Sequence, residues 1–211
     1  MGANVSRNVL ITSGSTRNPI DAMRHLAAYS SGRTGAMIAR YLVDELGCKV
    51  HMLGSPEACL RVGEGVTTEE FGSTRDLMTR MAEWIGKNPS GVVIHAAAVG
   101  DYETEPKQGK IPSGKGDLSI TLKRAPKIID HIKRWAPNTR LIGFKAAGPN
   151  TSAEQLVGIA KKLLERVDAD YVFGNVIGSL ETTATIVDKW GAETFENRRE
   201  ALRSLCVKVS K

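Results

Sequence analysis

Short apolar runs alternate with stretches of helical period along most of this 211-residue chain. Asn8–Ser13, Lys49–Leu53, Val66–Phe71, Val92–Val99, Arg140–Lys145 and Asp170–Asn175 read as strands. Val92 to Val99 is a nearly continuous apolar run, which suits a central parallel strand covered on both faces. Between the strands, apolar side chains recur at helical spacing. Met37, Ile38, Tyr41, Leu42 and Leu46 form one such set, ending at Gly47 as the C′ residue. Leu77, Met81, Trp84 and Ile85 form another, behind Ser73 as N-cap. Ser152–Val167 and Asn197–Val209 are two more. Asp21 is placed to cap a helix starting at Ala22, which Ser30–Gly32 then interrupts. This rhythm predicts right-handed crossovers and an α/β fold built on a doubly wound, mostly parallel sheet.

The rhythm breaks after Val99. Gly100–Gly116 is polar and rich in Gly, Pro and Lys, and Leu118–Leu122 alternates apolar and polar as an exposed strand does. Asp101–Leu122 is therefore expected to be a flap that covers a site or reaches a partner subunit. Pro56–Gly65 reads as a loop, Pro126 starts a helix with Ile128, Ile129 and Ile132 inward, and Ala184–Lys189 is an antiparallel edge strand. No linker or repeat divides the chain, so residues 1–211 are expected to form one domain.

A hydrophobic fraction of 41% is enough for a substantial core, and the net charge of +6 favours an anionic partner. The basic residues are spread out and aromatics make up only 5%, too few for base-stacking platforms, so a phosphorylated small ligand is expected rather than nucleic acid. Cys48, Cys59 and Cys206 form neither a CxxC pair nor a disulfide framework, which fits a reducing cytoplasm. No apolar run approaches the ~20 residues of a membrane span. Met1–Ser6 matches a bare myristoylation pattern, read as chance because no polybasic second signal follows.

Two small-residue turns carry the candidate chemistry. Ser13-Gly14-Ser15-Thr16 follows the first strand, and Ser30-Ser31-Gly32-Arg33-Thr34-Gly35 opens into a helix. At the carboxyl ends of strands, such turns gather backbone N–H groups and a helix dipole onto phosphate. Neither G-x-G-x-x-G nor G-x-x-x-x-G-K-[ST] is present, and no G-x-S-x-G elbow exists. His25, His51, His95 and His131 show no metal-ligand spacing, so no protein metal site is expected; Mg²⁺ would arrive with nucleotide phosphates. Asp101 lies just past a central strand, and Lys110 lies mid-flap among Lys107, Gly109 and Lys115, where a mobile cation can close over phosphates.

The segment Ser13–Asp21, with Arg24 and Ser30–Gly35, resembles the opening of phosphopantothenate–cysteine ligases, also called phosphopantothenoylcysteine synthetases. The likeness continues through Ala96–Tyr102, Lys110-Ile111, Leu118–Lys123, Gly143-Phe144-Lys145 and Gly174–Ile177, nearly the whole chain in order. It implies a Rossmann-like sheet with a protruding flap that serves dimerisation. The implied reaction, in coenzyme A biosynthesis, joins 4′-phosphopantothenate to L-cysteine with ATP or CTP and Mg²⁺ through an acyl-nucleotidylate. By position, the resemblance sets Gly14, Ser15 and Thr16 along the triphosphate and Ser30, Ser31 and Gly32 by the reacting phosphates. It sets Asp101, Phe144 and Asn175 around the nucleoside, with Ala97 and Lys145 also on the nucleotide. Lys110 stabilises charge as pyrophosphate leaves, with Arg24 and position 28 in the catalytic set.

Lys145 and Lys127 look like the eukaryotic branch, which is associated with ATP. Two positions depart from the family pattern: Ala28 stands where an asparagine assists conversion of the acyl-nucleotidylate, and Ala147 where bacterial members carry glutamate. Alanine cannot donate a hydrogen bond, so the alternative is a catalytically impaired or repurposed nucleotide-binding relative. An NAD(P)-dependent reductase ranks below both, lacking the glycine fingerprint and a Tyr-x-x-x-Lys pair.

Overall fold

The computed structural model describes residues 7–114, 116–177 and 183–211. Met1–Ser6 and Lys115 lie outside the described residues. The chain runs β1 (Asn8–Ser13), β2 (Arg17–Pro19), β3 (His25–Ala27), α1 (Arg33–Asp44), β4 (Lys49–Gly54), α2 (Pro56–Cys59), β5 (Val66–Glu70), α3 (Thr74–Lys87) and β6 (Val92–His95). It continues through β7 (Tyr102–Glu103), β8 (Lys123–Arg124), α4 (Ile132–Trp135), β9 (Arg140–Ala147), α5 (Ala153–Val167), β10 (Tyr171–Val176), β11 (Ala184–Val187), β12 (Ala192–Phe195) and α6 (Arg198–Ser210).

Eight strands form one sheet in the order β12-β11-β10-β9-β6-β1-β4-β5. All neighbours are parallel except β10–β11 and β11–β12. This is the Rossmann-like, doubly wound, mostly parallel sheet that the residue pattern predicts. Strand order reverses at β1 and β6, the crevice where such sheets take ligands.

Both faces of the sheet are covered, which is why its central strands read as unbroken apolar runs. Val9 and Ile11 point to one face and pack with Ile38 and Leu42 of α1 and Leu205 of α6. Leu10 points to the other and packs with Leu77 and Met81 of α3 and Leu164 of α5. Cys48 and Cys206 are buried in the first cluster, and burial pushes the Cys206 thiol up to about 12, so neither is poised as a nucleophile. The α1 helix closes as expected, with Gly47 at φ 62 and the Cys48 N–H donating to Leu42 O.

Five expectations are corrected. Residues 17–27 form the β2–β3 hairpin, not a helix: Asp21 accepts from the Met23 and Arg24 amides inside a tight turn, the same bonds an N-cap makes. The stretch from Pro56 begins with helix α2, capped by Ser55, whose side chain accepts from the Ala58 amide. Residues 118–122 are not a strand; the flap's two-stranded ladder is at its base, Tyr102–Glu103 against Lys123–Arg124. The helix after Pro126 is a 3₁₀ turn, Ile128–Asp130, followed by the short α4, with Ile128 and Ile132 buried. Finally, β11 is not the sheet edge, because β12 pairs outside it; Ala192–Phe195 is too polar to show a buried face.

Candidate functional site

The two glycine-bearing turns meet at the point where strand order reverses. Gly14 leaves β1 at φ 87, and a Cβ there would lie 2.2 Å from Ser55 Oγ, the cap of α2. Gly32 precedes α1 at φ 73, and its Cβ would lie 2.4 Å from the Ala58 Cβ. Both positions need glycine for the left-handed backbone and for the closeness of α2. The Ser13 hydroxyl donates to the Gly32 carbonyl at 2.9 Å, joining one turn to the other. The α1 helix has no side-chain cap and no acidic residue in its first turn, whereas α3, α5 and α6 are capped by Ser73, Ser152 and Asn197. Its positive end is therefore left to an external anion or to water.

Thr16 is fully buried. Its amide donates to Ala98 O at 3.2 Å, and its hydroxyl oxygen accepts from the Gly100 amide at 2.9 Å and the Thr74 hydroxyl at 3.1 Å. Ser15, also buried, bridges to Ala98 and so extends the β1–β6 pairing. Beside them the Ala97 amide donates to Thr12 Oγ1 at 3.1 Å, and Thr12 Oγ1 lies 2.9 Å from His95 Nδ1. Since Thr12 already accepts from Ala97, its own proton is available to His95 Nδ1. Burial holds the His95 pKa down at about 4, so this imidazole is a neutral structural tie under the crevice.

Two strands away, Phe144 is half-buried and stacks on Phe173 with centroids 5.0 Å apart, and the Lys145 side chain is exposed. Asn175 is buried at the carboxyl end of β10, and its Nδ2 has no hydrogen-bond partner among the described residues. A buried donor left unmade costs about 1–3 kcal/mol, a cost that either a ligand acceptor or a water relieves. Asp101 is exposed and ion-paired with Lys127. Ser30 and Ser31 are half-buried, and the Ser31 carbonyl accepts from Arg61 Nε at 2.8 Å. Ala28 and Tyr29 are exposed.

Arg24 and the backbone of Ile111, next to Lys110, meet through Asp21. Asp21 Oδ1 accepts from the Met23 amide at 2.8 Å and the Arg24 amide at 2.7 Å. Its Oδ2 accepts from Arg24 Nη1 at 2.9 Å and from the amide of Ile111, next to Lys110, at 3.0 Å. The Ile111 amide, then the Met23 and Arg24 amides and the Arg24 charge, hold this carboxyl below the usual range against the opposing effect of burial.

The structure thus brings Gly14, Ser15 and Gly32 together, sets Phe144 and Asn175 on the adjacent strands β9 and β10, and holds the chain beside Lys110 against Arg24 on the flap side. Sequence reasoning named Ser13 in its turn but missed its bond to Gly32, and it missed Ser55, Arg61 and the carboxylate bridge of Asp21. Only Ser55 carried a local signal, a serine directly before Pro56. Among the described residues no three His, Cys, Asp or Glu side chains cluster as a metal site. A groove of about 950 Å³ runs from the start of α1 along α6, and Arg33, Arg40, Arg61, Arg199 and Arg203 are among its lining residues.

The reversed strand order, the paired glycine turns and the flap define an α/β protein of the Rossmann-like class with a crevice at the carboxyl ends of its strands. Within that class the chain belongs to the family described as the DNA/pantothenate metabolism flavoprotein C-terminal domain, which matches residues 5–202. It is 32% identical over 187 residues to the coenzyme A biosynthesis bifunctional protein CoaBC of Thermococcus kodakarensis, covering 87% of this chain and 45% of that protein. The chain therefore spans about half the length of that relative. It is 27% identical over 246 residues to the human phosphopantothenate–cysteine ligase, covering 90% of this chain and 78% of the human protein. The crystal structure of the DNA/pantothenate metabolism flavoprotein from Streptococcus pneumoniae matches it with a TM-score of 0.84 at 28% identity, over 96% of this chain and 98% of that one.

Proposed function

We propose that this chain is a nucleotide-dependent ligase of coenzyme A biosynthesis that joins 4′-phosphopantothenate to L-cysteine through an acyl-nucleotidylate. The observation that carries the reading is the uncapped start of α1, held beside the Gly14 turn by the Ser13–Gly32 bond at the reversal of strand order. The Asn175 orphan amide supports it, as a donor awaiting an acceptor on a nucleoside.

In this reading, the first-turn amides of α1 with Ser30, Ser31 and Gly32 hold the reacting phosphates, beside Gly14, Ser15 and Thr16. Asp101, Phe144, Lys145, Asn175 and Ala97 frame the nucleoside. The substrate carboxylate attacks the α-phosphorus, the bond to the bridging oxygen breaks, and pyrophosphate leaves with the electron pair. Lys110 compensates the charge that develops on it. The cysteine amine then attacks the acyl carbon, the nucleoside monophosphate departs, and the amine gives up a proton. Fixed cations and N–H dipoles supply most of what such phosphorus chemistry needs. Mg²⁺ would neutralise phosphate charge and arrive with the nucleotide, consistent with a crevice whose donors suit anions. The flap is the proposed contact in a homodimer. No described helix is long and apolar enough to cross a membrane, and a cytoplasmic location is part of the proposal. Lys145 and Lys127 favour ATP over CTP.

A ligation assay with phosphopantothenate, cysteine and either nucleotide, read by product mass, tests the proposal. Product with ATP supports it, and no product with either nucleotide refutes it. Ala28 favours a second reading, a relative that keeps the nucleotide crevice without completing the reaction. Nucleotide binding with no phosphopantothenate-dependent exchange of pyrophosphate into ATP is the result that selects it.

A further inference from the structure

The first limb of the flap is fastened along the β2–β3 hairpin. The Asn18 side chain donates to Tyr102 O at 2.7 Å, and the Thr104 hydroxyl donates to Pro19 O at 2.6 Å. The Lys107 amide donates to Ile20 O at 3.0 Å, and the Ala22 amide donates to Gly109 O at 3.1 Å. At the end of this series Asp21 accepts the Ile111 amide, while both terminal nitrogens of Arg24 lie 3.3 Å from Ile111 O. Lys110 therefore has each neighbour held: Gly109 by its carbonyl, Ile111 by its amide and carbonyl.

Asp21 is the centre of this arrangement. Its side chain has no solvent exposure, and its two oxygens receive four N–H groups, which fills the acceptor capacity of a carboxylate. Two of the four come from its own turn, one from the Arg24 guanidinium and one from the flap. A single buried group thus sets the hairpin turn, the direction of Arg24 and the path of the chain at Lys110.

We propose that Asp21 is the positioning residue of the flap lysine: it fixes the chain on the far side of Lys110 so that the ammonium meets the departing phosphates in one register. The proposal rests on the ligase reading for the role of Lys110, and on hydrogen bonding alone for the latch. Asp21→Asn is the informative change. An asparagine can keep one oxygen on the Met23 and Arg24 amides, but its NH₂ then faces the Ile111 N–H and the guanidinium, donor against donor. Displacing a reacting group by about 1 Å can cost on the order of 10²-fold in rate.

Hydrogen exchange of the peptide over 104–114 reads the latch without substrates, and phosphopantothenate-dependent pyrophosphate–ATP exchange reads the lysine. Asp21→Asn should speed amide exchange in that peptide at least about tenfold, leaving β1 and β6 protected. It should lower kcat about 10- to 100-fold while KM for ATP moves less than about threefold. In a Lys110→Ala background it should cost nothing further, since both changes then remove the same interaction. An unchanged 104–114 peptide overturns the latch, and an equal loss of kcat in the Lys110→Ala background overturns the link to Lys110. If Asp21→Asn loses protection throughout, Arg24→Gln, which frees Ile111 O and removes the guanidinium from Asp21 Oδ2 but keeps the Ile111 amide on that carboxylate, must show the local effect or the latch is rejected. A wild type without exchange activity refutes the ligase reading, while the hydrogen-exchange comparison still decides the latch.

Discussion

Ser13 Oγ donates to Gly32 O across 2.9 Å, so the end of the first strand and the start of the first helix are one assembly. Neither turn is preorganised alone. The bond, with Gly35 packed so that a Cβ there would lie 2.3 Å from Ser13 Oγ, fixes where the positive end of α1 points.

Gly32→Ala should therefore be costly. It imposes a side chain at φ 73 and drives a methyl against Ala58. The left-handed backbone costs about 1–2 kcal/mol and overpacking about 1–3 kcal/mol. A loss of roughly 2–5 kcal/mol in urea unfolding is expected, with nucleotide affinity falling as well.

Asn175→Leu should separate stability from binding. It removes a buried donor that nothing among the described residues satisfies and keeps the side-chain shape. Stability is expected to hold or rise by up to about 1 kcal/mol, while ATP affinity falls about tenfold or more, a difference of at least about 1.4 kcal/mol. Paired thermal melts and nucleotide titrations check both, and unchanged affinity would remove Asn175 from the site.

His95 should leave a signature in acid. Its pKa is about 4 when folded against 6.5 for the free side chain, so the unfolded chain binds the extra proton first. The sign follows: its contribution is complete above pH 6.5, declines as pH falls toward 4, and totals about 3 kcal/mol. His95→Gln should flatten that part of the stability–pH curve by a comparable amount.

Ala28 bears on the second half-reaction. Without an amide at this position, acyl-nucleotidylate should form faster than cysteine consumes it, and Ala28→Asn should accelerate the second step by on the order of 10²–10³. Quenched-flow with labelled ATP, with and without cysteine, measures both steps. Wild-type turnover at an ordinary ligase rate, with no accumulated intermediate, contradicts this.

The sheet was legible in the sequence because burial on both faces writes a continuous apolar run, as in Val92–Ile94 between neighbours on either side. The β2–β3 hairpin was not, because Asp21 makes the same two amide bonds in a tight turn as at a helix start. The edge strand β12 is short and polar, so it carries no period to read. The glycine turns were visible as turns. What joins them is non-local: Ser13 meets Gly32 19 residues on, and Asp21 meets Ile111 90 residues on. Local patterns carry no record of such pairs.

The most direct measurement is a crystal structure with a non-hydrolysable ATP analogue and phosphopantothenate. The account predicts phosphate oxygens within hydrogen-bond distance, about 3 Å, of the first-turn amides of α1, with the nucleoside on Asn175 Nδ2. A nucleotide seated instead in the arginine-lined groove between α1 and α6, with the Ser13–Gly32 crevice empty, would contradict it.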